Sequence, residues 1–112
     1  MVAARLTAWL PVAVWAALIF TFSSIPSLDS GLETWDTVLR KLAHVAEYAV
    51  LGALLYRALR REPAAIALGS LYALTDEIHQ TFVSGRQGSP VDWIIDTVGV
   101  VVGVLLLSWR SR

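Results

Sequence analysis

Apolar residues dominate this chain in long runs, and polar residues interrupt those runs at helical spacing rather than at alternate positions. A membrane-crossing helix needs about 20 mostly apolar residues. Four segments meet that need if polar groups are allowed on one face: residues 6–22, 42–59, 63–83 and 91–109. The pattern therefore predicts an all-α polytopic membrane protein, a bundle of four transmembrane helices forming one domain over residues 1–112. No internal repeat or low-complexity tract breaks it.

The connections carry their own signals. Pro26 blocks continuation of the first helix. Ser30 and Glu33 have capping-box spacing, which starts a helix near Gly31. Leu32, Trp35, Val38, Leu39 and Leu42 then recur at helical period, predicting an interfacial helix that runs directly into the second span. The second connection is short, Arg60 to Pro63, and Pro63 suits a first helical turn. The third, SGRQGSP, is a turn by its two Gly and one Pro, with Ser89 as N-cap and Pro90 in the first turn of the last helix.

Composition sharpens the membrane reading. Of 112 residues 56% are hydrophobic and 16% charged, against about 25% charged in a soluble domain. The mean hydropathy is +0.62. Five Trp suit a membrane interface. Net charge is zero, which leaves no footprint for nucleic acid. The absence of Cys excludes disulfides and thiolate chemistry. The run from Leu6 to Phe22 is too long for a signal-peptide core and no cleavage-site pattern follows, so it reads as a retained span.

Lys and Arg counts orient the bundle. With both termini in the cytoplasm, the inner side holds Arg5, Arg57, Arg60, Arg61, Arg110 and Arg112, and the outer side holds Arg40, Lys41 and Arg86. Six against three favours that arrangement. It brings three polar groups to the outer leaflet: Lys41, His44 and Glu47; Asp76, Glu77, His79 and Gln80; and Asp92 with Asp96. Ionisable groups inside membrane spans are costly, face protein or water, and mark functional sites.

Helix geometry groups these residues. Lys41, His44, Glu47 and Tyr48 fall within an arc of about 120°. Gly69, Tyr72, Asp76 and Gln80 share a face, with Glu77 and His79 on its shoulders; a shoulder position leaves Glu77 open to head groups. Asp92 and Asp96 are one turn apart, and Gly99 and Gly103 continue their face as a small-residue stripe for packing within the chain. The three tyrosines, Tyr48, Tyr56 and Tyr72, read as packing or interface residues. The charged set suits proton transfer at His44, His79, Glu47, Asp76 or Asp92. It also suits anion binding at Arg86 as a planar fork and Lys41 as a point charge. A metal is not expected: there is no H-x-x-x-H or Cys cluster, and Lys41 and Arg86 would repel a cation. Ser84 and Ser89 lack the context of a nucleophilic serine.

The stretch KLAHVAEYAVLGALLYRAL, followed by DEIHQTFVSGRQGSPVDWIIDTVGVVVG, resembles the VanZ-like family of small bacterial membrane proteins. The resemblance runs over residues 20–105 and rests on three motifs. K-x-x-H-x-x-E-Y-x-x-L-G covers Lys41, His44, Glu47, Tyr48 and Gly52; D-E-x-x-Q-x-F-x-x-x-R covers Asp76, Glu77, Gln80 and Arg86; D-x-x-x-N/D-x-x-G covers Asp92, Asp96 and Gly99. Ser23 and Ser24 resemble a further family feature. Where many members carry Asn this chain has Asp96, which implies an orienting hydrogen-bond partner. The resemblance implies a four-helix protein of the bacterial cytoplasmic membrane. It also implies a link to the glycopeptide teicoplanin through the family's namesake, and to a broader group proposed to modify phosphate-linked lipid head groups.

Three functions follow as expectations. The first is an enzyme, a transferase or hydrolase acting on a lipid-linked phosphate or saccharide of the cell envelope. Its catalytic residues would be His44, Glu47, Asp76, His79 and Asp92, with His44 and Glu47 as the proton-transfer pair. Its substrate-binding residues would be Lys41, Glu77, Gln80, Arg86 and Asp96, with no cofactor. The second is a module that binds or shields an envelope lipid or a glycopeptide antibiotic without chemistry. The third is a proton-coupled carrier, disfavoured because its polar groups gather at one membrane end. Membrane lipids are the expected partners, among them a lipid-linked envelope precursor; the oligomeric state is left open.

Overall fold

A computed structural model of the chain describes residues 2–23, 33–82 and 90–110. They form four helices: α1 (Val2–Ser23), α2 (Glu33–Leu59), α3 (Glu62–Gln80) and α4 (Pro90–Arg110). The expected interfacial segment and second span are one unbroken helix from Glu33. The capping residue Ser30, Ser24 and the turn residues 84–89, with Arg86 and the N-cap Ser89, lie outside the described residues. The α2–α3 turn is closed by Arg60 in the left-handed region, at φ 60°, with its N–H donated to the Tyr56 carbonyl. Pro63 falls in the first turn of α3, where the N–H it lacks would have no helical acceptor.

The bundle is organised around α2 and α4, which share the most extensive interface; α3 lies against both, and α1 packs on α2 with a lighter contact to α3. Small residues explain the α2–α4 intimacy. A methyl group on Gly103 would strike the Ala49 backbone, one on Gly52 the Val100 backbone, and one on Gly99 the Val45 carbonyl at 2.7 Å. The Gly99–Gly103 stripe is thus an internal seam, as its spacing predicted.

The distribution of polarity is inverted relative to a soluble protein. Leu6, Leu10, Leu42, Leu71, Ile78, Val91, Ile94 and Leu106 point outward. Asp76, Glu77, Gln80, Asp96 and Ser108 are buried. Among the described residues three helices are long and apolar enough to cross a membrane: α1, α2 from Val38, and α4. The helix α3 falls short on composition, because its acids and Gln80 are spent on the interior; its outward face is Leu68, Leu71, Leu74 and Ile78.

Interhelical hydrogen bonds tie the bundle along its length. Trp15 Nε1 donates to the Glu47 carbonyl at 2.8 Å, and Tyr72 Oη to the Ala16 carbonyl at 2.5 Å. Trp93 Nε1 donates to the Ser70 carbonyl at 3.0 Å, beside the Ser70–Thr97 hydroxyl pair at 3.1 Å. Ser108 donates to Glu62, joining the start of α3 to the end of α4. Two of the five Trp therefore hook helices together, in a layer where an indole N–H has no water to turn to.

Candidate functional site

Three helices bring their polar residues to one place. His44 and Tyr48 lie one turn apart on α2, Asp76 comes from α3 and Asp96 from α4. The Gly seam lets α4 approach α2 closely enough for Asp96 to reach across. His44 Nδ1 meets Asp96 Oδ1 at 3.1 Å. Tyr48 Oη donates to Asp76 Oδ2 at 2.8 Å. Tyr48 and Asp96 are wholly enclosed, at 0% exposure, and Asp76 is 3% exposed. The His44 and Tyr48 rings lie nearly parallel at 6.4 Å, and Tyr72 follows at 6.3 Å, so an aromatic row lines the cluster.

The two carboxylates are only half used. Asp76 Oδ1 and Asp96 Oδ2 are buried with no hydrogen-bond partner among the described residues. One ligand atom from each of His44, Asp76 and Asp96 falls within 4.8 Å of the others. These are the described residues that could hold a metal ion. At 1.5 Å rise per residue the cluster lies about 9 Å inside the Pro90 end of α4 and about 6 Å inside the Gln80 end of α3. It is near one end of the bundle rather than at its middle.

The arrangement has a definite chemistry. A carboxylate on Nδ1 of an imidazole fixes the ring and favours the tautomer with hydrogen on that nitrogen, leaving Nε2 as the base. The partner that does this for His44 is Asp96, 52 residues away in sequence. The sequence had paired His44 with Glu47. Glu47 is on the next turn of α2, half-buried, and its backbone carbonyl anchors Trp15.

The remaining expected residues divide clearly. Gln80 and Glu77 are buried, at 3% and 5% exposure. For Glu77 this corrects the shoulder position open to head groups: α3 touches three helices, so its covered arc is wider than one face. His79 is half-buried, its ring stacked on Phe20 of α1 at 4.3 Å between centroids. Asp92 is half-buried in the first turn of α4, and Lys41 is exposed on α2. Tyr48 is the residue that sequence reasoning undervalued. The signal was there, since it shares the arc of His44 and Glu47 and stands in the first motif.

Comparison with known proteins agrees with the pattern of those motifs. The sequence pattern described as VanZ/LLP1 matches residues 6–111. No curated protein matches the chain, and no solved structure does.

Proposed function

The chain belongs to the VanZ-like family, and from that premise we propose that it is a multi-pass protein of the bacterial cytoplasmic membrane whose polar cluster acts on lipid-linked phosphate or saccharide head groups of the cell envelope. The observation that carries this reading is the part-buried His44–Asp96 pair beside the buried Tyr48–Asp76 pair, inside a bundle with an apolar exterior. Such groups are expensive to keep within a membrane and suit proton transfer near a head group. The fourth crossing is α3. Its 19 residues span about 28 Å, and its outward Leu68, Leu71, Leu74 and Ile78 suit lipid.

In this reading His44 is the base, held by Asp96 and taking a proton from the attacking water or hydroxyl at Nε2. Tyr48 and Asp76 form the polar wall beside it. Glu47 and Asp92, at the rim, are further acid–base candidates, and His79 serves from the α1 side. Lys41 and Arg86 hold the anionic head, with Gln80 and Glu77 lining the approach.

The test is head-group turnover in proteoliposomes, alongside lipid binding by native mass spectrometry. His44→Ala should cut turnover at least about 100-fold, the loss expected of a general base, and keep lipid binding. Arg86→Ala should weaken binding of anionic lipids first. A wild-type protein that binds such lipids and never changes them would make this a binding or shielding module.

A further inference from the structure

We infer that His44, Asp76 and Asp96 form a binding site for a divalent transition-metal cation. The inference deepens the head-group reading and rests on it for the ion's role, though not for the ion's presence.

The argument starts from what the cluster lacks. Asp76 and Asp96 each commit one oxygen to a neighbour, to Tyr48 and His44 respectively. Each leaves the other oxygen buried without a hydrogen-bond partner among the described residues. Buried polar atoms are normally satisfied, and a carboxylate oxygen in a membrane interior has the strongest need. The two residues are 3% and 0% exposed, so bulk water does not supply the missing partners. Metal ligation requires carboxylates in ionised form and imidazole in neutral form, and in that state this donor set matches the charge of one divalent cation.

The donor set and its spacing fit such an ion. Metal–ligand distances of about 2.1 Å place neighbouring ligand atoms about 3 Å apart and opposite ones about 4.2 Å apart. The three residues already have ligand atoms within 4.8 Å of one another, so closing to bonds of about 2.1 Å takes shifts of at most about 0.7 Å per ligand atom. One imidazole with two carboxylates suits Zn²⁺ or Mn²⁺ better than Ca²⁺, which favours oxygen alone. The sequence argued against a cation from the charges of Lys41 and Arg86; Lys41 is exposed on α2 while Asp76 and Asp96 are enclosed, and Arg86 lies outside the described residues. Three helices each contribute one ligand, and the Gly99–Gly103 seam fixes the approach of the two that carry His44 and Asp96. With an ion in place His44 would be a ligand and no longer the proton acceptor; the ion would supply a Lewis acid for a phosphoryl or carbonyl oxygen, and the proton would pass to Glu47 or Asp92 at the rim.

The experiment uses the full chain in detergent, stripped with chelator and titrated with Mn²⁺ alone, read by loss of the free-ion electron paramagnetic resonance signal. One saturable site per chain is expected. Asp76→Ala and His44→Ala should each weaken it at least about tenfold, since each removes a ligand and the loss of even an outer-shell partner costs about 10–100-fold. Glu62→Gln, which removes a carboxylate from the other end of α3, should leave it intact. Folded wild-type protein with no saturable uptake of Mn²⁺ or Zn²⁺ at millimolar concentration overturns the inference, and so does uptake that survives both substitutions. The wild-type titration decides even if a variant does not fold. A protein that takes up the ion at these residues yet neither binds nor changes anionic lipids keeps the metal site and loses the head-group role.

Discussion

At the scale of single residues, Tyr48 is the informative one. It is a phenol in the middle of the core, wholly enclosed, and its hydroxyl is the donor to Asp76 Oδ2. Tyr48→Phe keeps the ring and its packing and deletes only that donor, leaving both oxygens of Asp76 without it. Membrane hydrogen bonds alone contribute about 0.6–1.7 kcal/mol, and an unsatisfied buried acceptor adds to the loss. The expected destabilisation is about 1–2 kcal/mol, measured as a lower midpoint of unfolding in mixed detergent. An unchanged midpoint would mean that Asp76 draws its stability from elsewhere. The same scale shows where sequence reasoning stops. The wheel placed His44, Glu47 and Tyr48 on one arc, which the backbone period alone dictates. It could not tell which carboxylate His44 meets, because that depends on how α2 and α4 are rotated about their axes. Glu47 was preferred as the neighbour on the same helix, and Asp96 reaches across from another.

At the scale of elements, the packing was readable where small residues record it. A G-x-x-x-G pair sharing a face with two acids implies a protein neighbour, and Gly99 and Gly103 do meet the backbone of α2 at Val45 and Ala49. The partner helix was not readable, since Ala49 and Gly52 are unremarkable on their own. Nor were the tryptophan hooks: amphipathic indoles suggest an interface, whereas Trp15 and Trp93 donate to carbonyls of neighbouring helices. Gly103→Leu should wedge α4 away from α2, because even the first carbon of the new side chain has no room beside Ala49. Overpacking of this kind costs about 1–3 kcal/mol, and with the backbone itself as the obstacle the upper end is expected. The readout is a clear fall in melting temperature in detergent. Val102→Leu, one residue away on the exposed face, should stay within about 0.5 kcal/mol of wild type. Equal effects of the two substitutions would mean that Gly103 does not face α2.

For the whole molecule, the question that fixes everything else is how many helices cross. Three meet the length and composition needed, and α3 does not. Composition undervalues α3, because Asp76, Glu77 and Gln80 are counted as if lipid met them, while they are buried and its leucines face out. Four crossings put both termini on one side; three would put them on opposite sides. The basic residues choose the side. Arg57, Arg60 and Arg61 are exposed at the α2–α3 turn, and Arg5 and Arg110 are exposed near the start of α1 and the end of α4. Together with Arg112 they outnumber Arg40, Lys41 and Arg86 by six to three, and on that count the positive-inside rule predicts both termini in the cytoplasm. Reporter fusions after Arg112, in the Arg60–Arg61 turn and between residues 84 and 89 give the expected pattern inside, inside, outside. A C-terminal reporter outside with the N-terminus inside would remove α3 from the membrane. Both termini outside would keep the four crossings and turn the His44–Asp96 cluster toward the cytoplasm, and the head group it meets would then belong to the inner leaflet.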